Sequence, residues 1–198
     1  MNNSRNLAIK LAHIVAPDDD DSRQFFRAMI PNYAFALENH LRGHAQPDEL
    51  ESCPGFDPAE LDFIKHQPNQ MAIRLFGKMD ELYQRGTIRP EHILVLNVEF
   101  TTFTEVCGIC ERIHTTPIPF SYSSFLKKFI TMYCITLPVG YVLSIHYWVI
   151  PMVLIVFYVL ASLELIAEEI EDPFSTDEND LPTNRLSRNI RAAVGELL

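Results

Sequence analysis

FITMYCITLPVGYVLSI, residues 129–145, then HYW, then VIPMVLIVFYVLASLELIA, residues 149–167, is the stretch that decides the fold. The first run has about 17 residues without a formal charge, and the second is about as long before Glu164 interrupts its last turn. At 1.5 Å of rise per residue, each covers roughly 25 Å as a helix, close to the hydrocarbon thickness of a bilayer. Lipid offers no partner for a bare N–H or C=O, so helical backbone is the expected form. Two such runs joined by a three-residue break must fold back on each other. The reading is a transmembrane helical hairpin, with spans over about 123–145 and 149–167.

The competing reading is a pair of core helices in a soluble protein. Buried helices can be apolar all round, but two consecutive near-spanning runs are rare in a chain of 198 residues. The flanks also favour lipid. Lys127 and Lys128 precede the first span, whereas the connection His146-Tyr147-Trp148 carries no Lys or Arg and offers two interfacial aromatics. Positive charge stays on the cytoplasmic side, which predicts a multi-pass protein of the inner (plasma) membrane with both termini in the cytoplasm.

Outward from the hairpin the chain is read as helical. RNLAIKLAHIVA, from Arg5, places Leu7, Leu11 and Ile14 on one face. The Asp18–Asp21 run breaks that pattern, and Asp21 or Ser22 is the expected cap of the next helix, in which Pro31 predicts a kink. Two amphipathic helices are expected over 58–66 and 68–85, the second closed by Gly86. A longer apolar helix follows from Pro90 to about His114, although the β-branched ILVLNVEFTTFT would also suit a strand. Past the hairpin, Pro173 breaks an acidic exit, and Thr183 or Asn184 can cap a last helix. The fold class is therefore all-α: a cytosolic helical region over 1–116, the hairpin over 117–170, and an acidic turn with a C-terminal cytosolic helix over 171–198.

Charge and chemistry exclude several functions. Lys and Arg total 16 against 26 acids, a formal charge of −10, which argues against nucleic-acid binding. Cys107 and Cys110 have CxxC spacing but no second pair, and with Cys53 and Cys134 they read as reduced thiols packed on helices. His40 and His44 share a helix face at i, i+4 without a nearby third ligand, which favours surface histidines over a metal site. No catalytic motif is present, and no enzyme is predicted.

Two segments carry a resemblance. CERIHTTPIPFSY, Cys110 to Tyr122, resembles the E-R-x-x-x-T-P-I-P-F-x-Y approach to the third membrane helix of the bestrophin ion channels, on Glu111, Arg112, Pro117, Ile118, Pro119, Phe120 and Tyr122. EEIEDPFSTDENDLP, Glu168 to Pro182, resembles the acidic segment after that family's fourth helix, on Glu168, Asp172, Pro173 and Phe174. The resemblance is to the bacterial branch and implies a homopentameric channel subunit in contact with membrane lipid, passing small inorganic ions, typically chloride. The acidic balance would instead concentrate cations, so a cation-selective homologue stands as an alternative.

The resemblance also implies particular residues. A Ca²⁺ clasp of the calcium-gated members, carried over residue by residue, falls on Asp172, Asp177 and Asp180, where oxygen ligands suit the ion. The other reading of those acids is a turn that only sets helix geometry. The cytosolic pore constriction falls near Ile93, whose alternative is ordinary packing between helices. Met1-Asn2-Asn3-Ser4-Arg5 resembles sequence just beyond the family's second membrane helix, which implies that the first two spans and the pore neck are missing from this chain. A non-conducting truncated scaffold is the remaining alternative.

Overall fold

A computed structural model describes residues 2–43, 47–116, 118–175 and 180–198, and most of these described residues lie in seven α-helices. The described residues contain no strand, only an isolated antiparallel bridge between Cys53 and Phe56. The chain divides into two units, Met1–Ile113 with Pro182–Leu198, and His114–Leu181.

The first unit is built around α2, Asp20–Arg42, against which α1 (Asn2–Ile14), α3 (Gln67–Gln84) and α7 (Thr183–Gly195) pack. Asp19, rather than Asp21 or Ser22, caps α2: its Oδ1 accepts from the Ser22 N–H at 3.1 Å. The helix therefore starts two residues into the acidic run, with Asp20 and Asp21 in its first turn, where the helix dipole favours negative charge. Pro31 lies buried inside a continuous helix. Gly43 ends α2 at φ 63°, and its N–H returns to the last-turn carbonyls.

Phe26, Met29, Ile30, Tyr33 and Phe35 of α2 are fully buried among Leu7 and Leu11 of α1, Met71 and Leu75 of α3, Leu96 and Phe100 of α4 (Pro90–Thr115), and Val194 of α7. Several polar groups inside this core are matched, although Ser22 Oγ and Gln67 Oε1 are buried without a hydrogen-bond partner. The buried Asn32 amide donates to Glu51 O at 2.8 Å and accepts from Glu51 N at 2.9 Å, which fixes the loop after α2. Tyr33 Oη donates to Phe103 O at 2.9 Å, and Glu99 accepts from Lys10 Nζ at 2.6 Å.

Two further expectations for this unit need correction. The segment 58–66 is a loop containing one 3₁₀ turn, Pro58–Glu60. Gln70 of α3 holds both the N–H and the C=O of Asp62, at 3.1 and 2.7 Å, and so withdraws that backbone from a helical ladder. Thr183 is the first residue of α7 rather than its cap, and its hydroxyl donates instead to Glu38 Oε1 at 3.0 Å.

The helical reading of ILVLNVEFTTFT holds: α4 runs from Pro90 to Thr115. It buries Leu96, Phe100, Phe103 and Cys107, a spacing of four, three and four that one helix face produces and a strand does not. The opposite side keeps Leu94, Val98, Val106, Ile109 and Ile113 exposed. By length and composition α4 could also cross a membrane, but 28% of its most apolar window is already buried, against 6% for the hairpin.

The second unit is that hairpin. Helix α5, Phe120–Ile145, is followed by a 3₁₀ turn, His146–Trp148, and by α6, Val149–Glu171. His146 turns the chain at φ 50° and ψ −129°, a positive-φ conformation outside the αL region that non-glycine residues adopt uncommonly. At the opposite end Lys127 Nζ reaches Glu164 at 3.3 Å and Glu168 at 3.2 Å, tying the two helices together. Rings stack along α5, Phe125 on Phe129 and Phe129 on Tyr133. Leu143, Ile135, Val139 and Tyr158 remain uncovered.

Candidate functional site

The acidic exit begins where α6 ends at Glu171. Asp172 follows, with Oδ1 3.5 Å from His114 Nδ1, and the His114 ring meets Phe174 edge-on at 6.3 Å. A backbone bond from Leu181 N–H to Pro173 O, 3.0 Å, closes the turn. Asp180 is half-buried within it, and Asp177 lies outside the described residues. The turn thus brings Asp172 and Asp180 onto one closed loop.

The proline-rich approach to α5 has Ile118, Phe120 and Tyr122 exposed, and Pro117 outside the described residues. Pro119 precedes the first turn of α5, and its carbonyl accepts from the Tyr122 N–H at 2.8 Å. Proline needs no backbone partner for its nitrogen, which suits the start of a helix that enters lipid. Ile93 is partly buried against the core of the first unit, while the next residue, Leu94, points outward.

A third arrangement was not legible in the sequence. Glu111 of α4 receives two imidazoles on one oxygen: His40 Nε2 lies 2.8 Å and His66 Nε2 2.6 Å from Oε1. The two rings sit 4.1 Å apart at 36°. His40 comes from the last turn of α2, and His66 caps α3 by accepting the Asn69 N–H on Nδ1 at 3.2 Å. His40 is therefore not a free surface histidine, and its partners are His66 and Glu111; His44 lies outside the described residues. Partial burial acts to raise the Glu111 pKa, but hydrogen bonds from and charge on His66 and His40 outweigh it, leaving the carboxyl below its ordinary value.

The thiols nearby are poor nucleophiles. Burial pushes Cys107 up to about 11, with Glu111 adding to the effect. Cys110 is raised by the same two causes. Burial likewise pushes Cys53 up to about 11 against the opposing charges of Lys78 and Arg74. At pH 7.5 a thiol of that pKa is on the order of 0.03% thiolate. Alkylation of Cys53 by iodoacetamide, followed by mass spectrometry, is expected to accelerate about tenfold per pH unit to beyond pH 9. A plateau near pH 8.5, the ordinary thiol value, would contradict the burial.

The chain resembles known proteins along nearly all of its length. Residues 1–196 match the family model described as Bacterial/Fungal Bestrophin protein. The voltage-dependent anion channel-forming protein YneE of Escherichia coli (strain K12) is 30% identical over 175 residues, 88% of this chain and 57% of that protein. The voltage-dependent anion channel-forming protein alr2987 of Nostoc sp. is 28% identical over 201 residues, 100% of this chain and 66% of the relative. A crystal structure of a bacterial Bestrophin homolog from Klebsiella pneumoniae superposes with a TM-score of 0.89 at 25% identity, covering 99% of this chain and 73% of that one. The chain thus spans a little over half of the first of these relatives and about two thirds of the second. Match, architecture and exposed hairpin agree: this all-α membrane protein belongs to the bacterial/fungal bestrophin family.

Proposed function

We propose that the chain is a subunit of a bestrophin-like ion channel, not an enzyme, and that it passes small ions passively across the bacterial inner membrane. The observation that carries this is the uncovered apolar surface. Almost none of the hairpin is buried within the chain, and α4 presents a second outward apolar stripe at i, i+4 spacing through Leu94 and Val98. A stripe of that kind calls for neighbours or lipid, which a ring of copies set in a bilayer supplies. The names of the Escherichia coli and Nostoc relatives support anion passage. The homopentamer, the cytoplasmic position of both termini, and the division at 1–116, 117–170 and 171–198 belong to the same reading.

Reconstitution into liposomes under KCl and NaCl gradients tests it. A reversal potential near that of chloride supports the anion channel. One near the cation potential supports the second reading, which the formal charge of −10 favours. Absence of flux would leave a non-conducting membrane scaffold. Ile93 is the proposed apolar constriction, gating by dewetting, so Ile93→Thr should raise flux.

The acidic exit is read as a geometric element, because the Asp172 carboxylate already faces His114. Flux is expected to be the same in Ca²⁺ and in chelator. Calcium-dependent flux that disappears in Asp172→Asn would instead assign a clasp to Asp172, Asp177 and Asp180.

A further inference from the structure

The family resemblance leaves His40 and His66 without a role. Their Nε2 atoms and the Glu111 carboxylate lie within 4.8 Å of one another, half-buried, on three different elements of the first unit. A cleft of about 250 Å³ opens beside the two imidazoles, lined by Asn39, Gly43, Phe63 and Ile64 among others, and gives an ion a route in. We propose that His40, His66 and Glu111 bind one divalent transition-metal ion of the zinc class, which staples the end of α2, the start of α3 and α4 together.

The donor set selects the ion. Two imidazole nitrogens and one carboxylate oxygen suit Zn²⁺, Co²⁺ or Ni²⁺, whereas Ca²⁺ and Mg²⁺ prefer oxygen alone. Metal–ligand bonds near 2.0–2.2 Å put tetrahedral ligands about 3.3 Å apart. Glu111 Oε1 now stands 2.8 and 2.6 Å from the two nitrogens, in hydrogen bonds, so an ion replaces the shared protons while the ligands spread by about half an ångström. Three protein ligands leave the fourth position for water from the cleft.

One detail makes the site distinguishable from a nonspecific one. Ligation through His66 Nε2 moves the ring proton to Nδ1, which now accepts the Asn69 N–H at 3.2 Å. Metal uptake therefore exchanges a helix cap for a coordinate bond, and hydrogen exchange at the Asn69 amide should quicken as the ion binds. His66→Asn is the informative variant, because asparagine can cap α3 but leaves the metal one ligand short.

The test titrates the full chain, purified in detergent with prior chelation, using Co²⁺ and Zn²⁺. Expected are one ion per chain, a visible Co²⁺ absorption of nitrogen-ligated character, and a higher melting temperature with Zn²⁺. His66→Asn and His40→Gln should each weaken binding more than about tenfold while melting normally without metal. Binding that survives both variants, or that Asp172→Asn abolishes instead, would overturn the assignment, as would no saturable binding to the unaltered chain.

Discussion

Glu38→Ala is expected to destabilise the first unit by about 3–5 kcal/mol, the cost of breaking a buried ion pair by removing one partner. Glu38 is only 4% exposed, although it sits in the C-terminal half of α2. Its carboxylate takes Arg42 Nη1 at 2.8 Å, Thr183 Oγ1 at 3.0 Å and Ser187 Oγ at 3.1 Å. The last two come from α7, so one carboxylate fastens the C-terminal helix to the central one. Alanine strands the Arg42 charge and the buried Ser187 hydroxyl together. Thermal melts should fall by roughly 10 °C, and limited proteolysis should release the C-terminal helix first. Glu38→Gln, which keeps an acceptor for one hydroxyl, should lose less. A melt within about 1 °C of the unaltered chain would mean that α7 is held by Ile190, Val194 and the contacts of Asn184 and Arg191 with Glu49 rather than by Glu38.

Ile135→Asp is the second large effect, and its size depends on the solvent. Ile135 lies near the middle of α5 and is 69% exposed. In water, an aspartate at an exposed position changes stability by no more than about 0.5 kcal/mol. In the centre of a bilayer the same change costs about 2.5–3.5 kcal/mol of insertion. The fraction of chain resisting carbonate extraction from membranes should therefore drop sharply for Ile135→Asp. It should hardly change for Thr116→Asp, outside the spans. Equal behaviour of the two variants would count against lipid around α5.

What the sequence reveals and what it hides follow from range. The hairpin is legible because its signal is local: 129–145 and 149–167 carry almost no charge, and nothing distant is needed to interpret them. Helix α4 is legible from its burial period despite its β-branched residues, several of which face outward, where propensity has little to oppose. The loop at 58–66 is not. Its composition suits a helix, and only Gln70, folding back onto Asp62, removes that option. The cap of α2 is not legible either, because four consecutive aspartates offer the same chemistry, and only the backbone chooses Asp19. The His40–Glu111 and His66–Glu111 contacts join residues 71 and 45 positions apart, and no pattern of spacing encodes such a meeting. Glu111 stood out only through its place in the family motif, and His66 through nothing at all.

The same distinction orders the candidate sites. Asp172 and Asp180 fall on one turn because Pro173 and Leu181 close it locally, a neighbourhood that sequence can suggest. Ile93 could be located only by resemblance, and its side chain divides between core and surface.

The central claim is that α5 and α6 cross a bilayer with the His146–Trp148 turn on the far side. Single cysteines placed by Tyr147→Cys and Ser121→Cys, in a chain whose 4 native cysteines are replaced by alanine, test this in intact cells. A membrane-impermeant maleimide is predicted to label the Tyr147 position from outside and the Ser121 position only after the cells are opened. Labelling of both positions from the same side would contradict the hairpin.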